Sequence, residues 1–304
     1  MAPLSAAKLG VVLDAIPAPG GLKEEALRSV SSLPPFSPIL TRLLAALETE
    51  EVSYAELGDL IEKDPVVAAN ILHLVNSTVD GPEDSITSVR LAISLLGANR
   101  LLNAVLGMSS ARVWNRVKMP PSWSMARFNM HSSAVAVLCD LLAQRVPLEY
   151  PEGAFVAGLL HDAGRLLIAL ALPEEHERIL DLYAAGERRM IECELEVLGF
   201  THAELSAEAL KHWNLPEEIQ IAVRDHHSSR AESRGGIPLS YVVDAANQYA
   251  NSAGLSILVQ DVSGSNRDAA DAAVLELLGL DAVILQALLV EFRAENDAMA
   301  MYYR

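Results

Sequence analysis

The chain of 304 residues is long enough for one large domain or two ordinary ones, and 51% of it is hydrophobic, mostly Ala, Leu and Val. Such a composition favours packed helices over a sheet sandwich. A formal charge of −17 argues against broad binding to nucleic acid or anionic lipid, because both require a face rich in Lys and Arg, and it leaves a local basic pocket open.

Cysteine usage and hydropathy indicate the cellular compartment. Cys139 and Cys193 are the two cysteines, and they form no Cys-x-x-Cys motif, so neither a disulfide framework nor an all-cysteine zinc site is expected. The N-terminus lacks a signal-peptide pattern, and no stretch of about 18 uninterrupted apolar residues offers a membrane span. We expect a soluble, cytoplasmic protein.

The N-terminal part contains a series of short helices. Ser53 and Glu56 have the spacing of a capping box, and Asp64-Pro65 places a capping carboxylate before a proline at the first helical position. A further helix from about Thr87 should end at Gly97, directly before the next one. We assign residues 1–29 to a lead-in and residues 30–118 to an N-terminal helical lobe.

A second lobe follows Pro120-Pro121, which is the best candidate for a boundary. It begins with a long helix from about Trp123 to Arg145 and covers residues 119–252. Residues 253–304 form C-terminal helices that we expect to pack on this lobe. Helices are predicted in this half at about 151–162, 165–184, 187–198, 201–213, 216–227, 238–251, 274–278 and 283–292.

The second lobe contains side chains that typically bind metals. Imidazoles and carboxylates together suit a divalent transition metal such as iron, manganese or zinc, and a carboxylate can bridge two ions. The candidates are His131, His161, Asp162, His202, His226, His227 and Asp244.

Each of these residues also has a commonplace explanation. His131 shares a helical face with apolar neighbours and could be an ordinary hydrogen-bonded core histidine, while His161-Asp162 could be a helix-end cap. His202 in a first helical turn would usually be exposed, and His226-His227 could complement a helix dipole. Asp244 lies in an apolar stretch and requires a partner, for which an arginine would also serve.

The order of these residues resembles the HDOD family, the regulatory relatives of the HD-GYP cyclic-dinucleotide phosphodiesterases within the HD superfamily of metal-dependent phosphohydrolases. The resemblance covers about residues 30 to 250. It rests on Leu33-Pro34-Pro35, Asp64-Pro65, Asn76-Ser77, Ala92-Ile93-Ser94-Leu95-Leu96-Gly97, Gly158-Leu159-Leu160-His161-Asp162-Ala163-Gly164-Arg165 and His212-Trp213-Asn214-Leu215-Pro216. It implies an all-α fold, an HD-type helical bundle with an additional N-terminal helical lobe.

The resemblance also implies how the candidate ligands divide between two metal ions. One set corresponds to His131, His161, Asp162 and Asp244. The other corresponds to Asp162, His202, His226 and His227, which makes Asp162 the bridging residue.

Three positions bear on catalysis. Arg127 stands where some HD-GYP proteins have a glutamate for an additional metal, so a third ion is not expected. The segment after His226-His227 lacks the Gly-Tyr-Pro element, so cyclic di-GMP hydrolysis is not implied. Arg165 stands near where HD enzymes hold phosphate, and it is equally well explained as an exposed arginine on the next helix.

Two classes of function follow. The first is a bacterial signal-transduction module that carries a dinuclear metal site and binds a signalling protein or a small phosphorylated ligand. The alternative is a metal-dependent phosphohydrolase or phosphodiesterase acting on a nucleotide or other phosphoester, with Asp162 and Arg165 in its catalytic site. The sequence leaves the oligomeric state open.

Overall fold

The structure is a computed structural model, and it describes residues 19–31, 33, 58–59, 61–76, 86–186, 188–228, 235–258, 273–276 and 278–300. Within these ranges the fold is all-α, as predicted, and the backbone pairing between extended residues is an isolated parallel bridge of Leu148 with Ile237. The helices are α1 (Pro19–Val30), α2 (Pro65–Asn76), α3 (Val89–Leu96), α4 (Ala98–Trp114), α5 (Met125–Ala143), α6 (Ala154–Leu160), α7 (Ala163–Ala171), α8 (Pro173–Ala184), α9 (Met190–Leu198), α10 (His202–His212), α11 (Glu217–Asp225), α12 (Leu239–Ser252), α13 (Ala273–Glu276) and α14 (Ala282–Ala300).

Helices α2 to α4 follow the predicted caps. Asp64 accepts hydrogen bonds from the backbone N–H groups of Val66 and Val67 at 3.0 and 3.2 Å, and Gly97 with φ +78° lies between α3 and α4. Both features are confirmed as helix boundaries. The predicted capping box at Ser53 and the motif residues Pro34-Pro35 and Ser77 lie outside the described residues.

Helix α5 is the centre of the second lobe and is buried along most of its length. Helices α6, α12 and α14 pack around it. Gly158 permits the close approach of α6, because a Cβ atom there would lie 2.8 Å from the Cα atom of Ala136. This contact places the C-terminal end of α6 beside the middle of α5.

The predicted single helix over 165–184 was wrong. The chain forms two helices, α7 and α8, separated at Leu172, whose φ and ψ are −127° and 57°. Pro173 is the first residue of α8, and a residue before proline is sterically driven out of the helical conformation. Pro173 therefore starts a new helix instead of lying inside an existing one.

Both ends of the described chain contact the second lobe. Helix α1 packs against α7 and α10, and α14 packs on α5. Helix α14 extends to residue 300, beyond the helix predicted over 283–292. The proposed domain boundaries themselves stay predictions.

One stretch of the second lobe has the length and composition of a membrane span. Pro151–Ala171 has a mean hydropathy of 1.5, but 83% of this apolar window is buried inside the protein. Helices α3 and α4 meet the same criterion only if they are joined across a bend of 115°. Burial of this extent is typical of the core helices of a soluble protein.

Candidate metal centre

Five elements of the second lobe bring the candidate ligands together. His131 lies in the middle of α5, His161 and Asp162 lie at the break between α6 and α7, and His202 opens α10. His226 and His227 follow α11, and Asp244 lies on α12. The side chains of two of the seven, His227 and Asp244, are 28% and 35% exposed; the other five residues are at most 1% exposed. The cluster is thus buried and accessible at one edge.

His131, His161 and Asp162 form one group with ligand atoms within 4.8 Å of one another. The Nδ1 atoms of His131 and His161 lie 2.7 and 2.8 Å from the carbonyl oxygens of Leu255 and Gly158. Because a carbonyl can only accept, both Nδ1 atoms carry a proton, and Nε2 is the ring nitrogen of each residue that a metal ion can bind. These two Nε2 atoms face each other at 3.3 Å. When both rings are neutral, the lone pairs of these Nε2 atoms repel at this distance unless a cation lies beside them.

His202, His226 and His227 form the second group. The Nδ1 atom of His226 donates to the carbonyl of Val223 at 2.6 Å, so its Nε2 atom also presents a lone pair. That Nε2 atom is buried and has no hydrogen-bond partner. The Nε2 atoms of His202 and His227 lie 3.2 Å apart. The group has the chemistry of a site for an imidazole-binding cation.

Asp162 lies between the two groups. Its Oδ2 atom is 3.6 Å from the Nε2 atoms of both His131 and His161, and its Oδ1 atom is 3.0 Å from Nε2 of His202. A carboxylate with one oxygen toward each group has the arrangement of a bridging ligand.

The charge state of Asp162 suits this arrangement. Burial alone would raise its pKa, but His161, His202 and Arg165 hold the pKa of the carboxyl well below its usual value. Arg165 lies with its Nη1 atom 3.3 Å from Oδ2 of Asp162, and its side chain is 15% exposed. Arg165 is therefore directed at the cluster, and the alternative of an arginine free in solvent is wrong.

The local sequence explains the position of His202. Thr201 and Glu204 form the predicted capping box, with both reciprocal hydrogen bonds at 3.2 Å. The first turn of α10 is nevertheless buried, because α7 packs against it at Gly164, where a Cβ atom would lie 2.1 Å from the carbonyl oxygen of His202. The close approach of α7 and α10 brings His202 next to Asp162.

Glu194 on α9 belongs to the site, and the sequence analysis missed it. It is 2% exposed, and its carboxylate accepts hydrogen bonds from the Nδ1 atom and the backbone N–H of His202, each at 2.8 Å. Burial lowers the pKa of His202, but Glu194 and Asp162 outweigh it and raise this pKa to about 9. A carboxylate behind a histidine is the usual support of a metal-binding imidazole. The spacing of four residues from both Met190 and Leu198, which puts Glu194 on an apolar helical face, was the available signal.

Three other imidazoles of the cluster are held neutral. Burial, together with neighbouring imidazoles, lowers the pKa of His161 to about 3 and that of His226 to about 4. Burial, with the neighbouring His226 and His202, also lowers the pKa of His227. Neutral imidazole is the form that binds a metal ion.

Asp244 lies at the exposed edge of the cluster. Its Oδ1 atom is 4.0 Å from Nδ1 of His227, and its Oδ2 atom accepts a hydrogen bond from Gln248 at 2.9 Å. The structure thus places it near His227, whereas the resemblance grouped it with His131 and His161. The hydrogen-bond partner of the Asp244 carboxylate is thus the side-chain amide of Gln248.

Arg127 supports the backbone behind His131. Its Nε and Nη2 atoms donate to the carbonyls of Ile257 and Leu258, each at 3.1 Å. The same segment supplies the Leu255 carbonyl that accepts from His131. A guanidinium engaged in this way does not act as a metal ligand. Most of the predicted loop from 228 to 236 lies outside the described residues.

The chain belongs to the HDOD family, since the HDOD domain model matches residues 33–229. Similar solved structures are an HDOD domain protein of unknown function from Geobacter sulfurreducens (TM-score 0.70, 23% identity, covering 92% of this chain and 98% of that one) and a protein from Shewanella amazonensis named provisionally as a phosphohydrolase (TM-score 0.69, 22% identity, 92% and 98%). A protein from Marinobacter aquaeolei, named provisionally as a signal transduction protein, has a TM-score of 0.69 at 21% identity over 96% of this chain and 67% of that one. At this level of sequence identity, the similarity to these three solved structures shows a shared fold alone.

A curated relative is known from sequence as well. An uncharacterized protein of Treponema pallidum is 24% identical over 222 residues, which are 72% of this chain and 42% of that protein. The chain therefore matches less than half of the length of this relative.

Proposed function

We propose that this protein is a bacterial signal-transduction protein of the HDOD family that binds two divalent transition-metal ions and acts as an interaction or ligand-sensing module in the cytoplasm. The observation that carries the metal assignment is the close approach of the Nε2 atoms of His131 and His161, which lie 3.3 Å apart while both Nδ1 atoms donate to backbone carbonyls, so that two neutral rings would repel each other. A cation removes this repulsion.

The residues present fit two ions. His131 and His161 would hold one ion, His202, His226 and His227 would hold the other, and Asp162 would bridge them. The buried Nε2 atom of His226, which has no hydrogen-bond partner, supports this assignment, because buried polar atoms without partners are rare. Imidazole and carboxylate ligands suit iron, manganese or zinc. Asp244 is the candidate to complete a shell at the exposed edge.

Burial of the cluster supports a regulatory role. Most of the ligand set is inaccessible to solvent, as suits ions that order a binding surface or sense a signal. We propose a signalling protein or a small phosphorylated ligand as the partner. The provisional name of the Marinobacter relative agrees with signalling.

A second candidate is a metal-dependent phosphohydrolase. The exposure of His227 and Asp244 and the position of Arg165 beside Asp162 favour it, because they leave an accessible edge with a guanidinium that could orient phosphate oxygens. The chemistry that such ions supply when bound is polarisation of a phosphoryl oxygen and activation of water. Arg165 would bind the phosphate and Asp162 would keep the ligand set in place.

Elemental analysis of protein purified without chelator or affinity-metal resin tests the proposal. We expect about two transition-metal ions per chain, as for a dinuclear site. Absence of metal even after anaerobic reconstitution would contradict the metal assignment. The two candidate functions are then separated by assaying the loaded protein against nucleotides and other phosphoesters. Hydrolysis that is lost in Arg165→Gln protein with full metal content would establish the phosphohydrolase, whereas no hydrolysis supports the signalling module.

A further inference from the structure

A cavity lies away from the histidine cluster, against helix α14. Its volume is about 250 Å³, whereas a dry protein cavity of about 150 Å³ already holds benzene. Leu74 and Leu96 line it from α2 and α3, Val137 and Phe155 from α5 and α6, and Met299 from α14. We call it the α14 cavity.

The α14 cavity has an acidic end. Asp140, Glu291 and Glu295 line it together with one cationic side chain, that of Arg100. The Nη2 atom of Arg100 lies 2.6 Å from Glu291 and 2.5 Å from Glu295, and Arg145 forms a further ion pair with Glu291. These five groups comprise three carboxylates and two guanidiniums, so one negative charge is left unbalanced.

The surplus charge falls on Asp140 and Glu295. Asp140 accepts a neutral hydrogen bond from Gln144 at 2.9 Å, and Glu295 shares Arg100 with Glu291. Burial raises the pKa of both carboxyl groups, and Glu291 raises both further, although Arg100 acts in the opposite direction. A cation nearby stabilises the ionised form of a partly buried carboxyl group.

We propose that the α14 cavity binds a small organic monocation with an apolar body, such as an alkyl- or arylalkylammonium ion. The apolar walls would contact its body, and Asp140 and Glu295 would accept hydrogen bonds from its ammonium group. An apolar cavity with a few convergent polar groups is the usual form of a small-molecule site. The charge of the acidic end selects an amine over an alcohol or a carboxylic acid of the same shape.

The position of the cavity connects this ligand with the rest of the protein. Helices α5 and α6 both line the cavity. Helix α5 carries His131, and α6 ends directly before His161. Asp140 lies nine residues after His131 on α5, about 13 Å along the helix axis. The proposed ligand would therefore contact helices of the N-terminal half, of the metal-binding half and of the C-terminal end simultaneously.

Isothermal titration calorimetry of the full chain with 2-phenylethylamine tests the proposal. The shape-matched probes are 2-phenylethanol and 3-phenylpropionate. We expect the amine to bind at least about tenfold more tightly than the alcohol, because hydrogen bonds to charged groups are the stronger ones, and we expect no binding of the acid. Equal binding of amine and alcohol, or no binding of the amine at millimolar concentration, would overturn the proposal.

Variants locate the binding site. Glu295→Gln retains the shape of the side chain and should weaken amine binding about tenfold while leaving alcohol binding unchanged. Asp297→Asn is the matched control, because this exposed acid lies on the same helix outside the α14 cavity and should not change the affinity. Ala298→Leu should occupy the cavity and abolish binding of both probes. If the Kd for the amine is unchanged in folded Glu295→Gln and Ala298→Leu proteins, the amine binds elsewhere and the assignment is contradicted.

Discussion

Glu194 and His202 share two hydrogen bonds of 2.8 Å, one to the Nδ1 atom of the imidazole and one to the backbone N–H. The carboxylate thereby fixes both the orientation of the ring and the beginning of α10. Because Nδ1 is engaged, the Nε2 atom is left for Asp162 and for a metal ion.

Replacing Glu194 with Gln should therefore weaken binding of the metal ion held by His202. We expect a loss of affinity of about 10- to 100-fold for this ion, the usual effect of removing the partner behind a metal-binding histidine. Competition with a chromophoric chelator measures it. Glu196→Gln, an exposed acid of the same helix, should behave as wild type. Equal metal retention in the Glu194→Gln and Glu196→Gln proteins would show that this carboxylate does not support the site.

Asp162→Ala should remove both ions, since both groups of imidazoles face this carboxylate. His202→Ala should chiefly remove one ion, because the group of His131 and His161 stays intact. Elemental analysis compares the metal content per chain. His176→Ala and His212→Ala are the controls, because neither residue lies in the two ligand groups, and both should retain full metal content. A full complement of metal in Asp162→Ala protein contradicts the bridging role.

Arg127→Gln should weaken binding of the metal ion held by His131 and His161. The substitution removes the guanidinium that holds the carbonyls of Ile257 and Leu258, and thus loosens the segment whose Leu255 carbonyl orients His131. We expect about a tenfold loss of metal affinity. This is the lower end of the usual effect of removing a residue behind a metal ligand, because Arg127 acts on His131 only through the backbone. Arg90→Gln removes an exposed ion pair with Asp59 and serves as the control. Arg127→Lys should restore part of the affinity; failure of both substitutions to change it would contradict the role.

The sequence predicted the helices better than it predicted the contacts between them. Asp64, Gly97 and Thr201 act locally, so the helix boundaries they set could be predicted. The partner of His131 is a carbonyl 124 residues away, and every residue has such a carbonyl, so side-chain patterns do not identify it. Asp244 shows the same limit, since its apolar neighbours predicted a need for a partner without indicating which one.

The metal-free protein should be most stable near pH 6.5. The pKa values of His161 and His226 fall from 6.5 to about 3 and about 4 on folding, so the unfolded state binds more protons and stability decreases as the pH falls below 6.5. The pKa of His202 rises to about 9, so its contribution is complete below pH 6.5 and is lost as the pH rises from 6.5 to 9. Thermal unfolding in excess chelator across this range measures both changes. His202→Asn should lose the alkaline change and keep the acidic one; an unaltered alkaline change would show that another group causes it.

Gly164→Ala should separate the two halves of the metal centre. A Cβ atom at this position would lie 2.1 Å from the carbonyl oxygen of His202 and 2.9 Å from the backbone nitrogen of Ser206, and backbone atoms cannot rotate away as a side chain can. Helices α7 and α10 must therefore move apart, which takes His202 away from Asp162 and costs about 1–3 kcal/mol of stability, as for other overpacked sites. Gly58→Ala is the matched control, because the nearest contact of its Cβ would be the flexible end of Ile93 at 3.2 Å. Chemical denaturation and metal analysis together distinguish the two proteins. Wild-type stability and metal content in Gly164→Ala protein would mean that the close approach of α7 and α10 is not required to assemble the site.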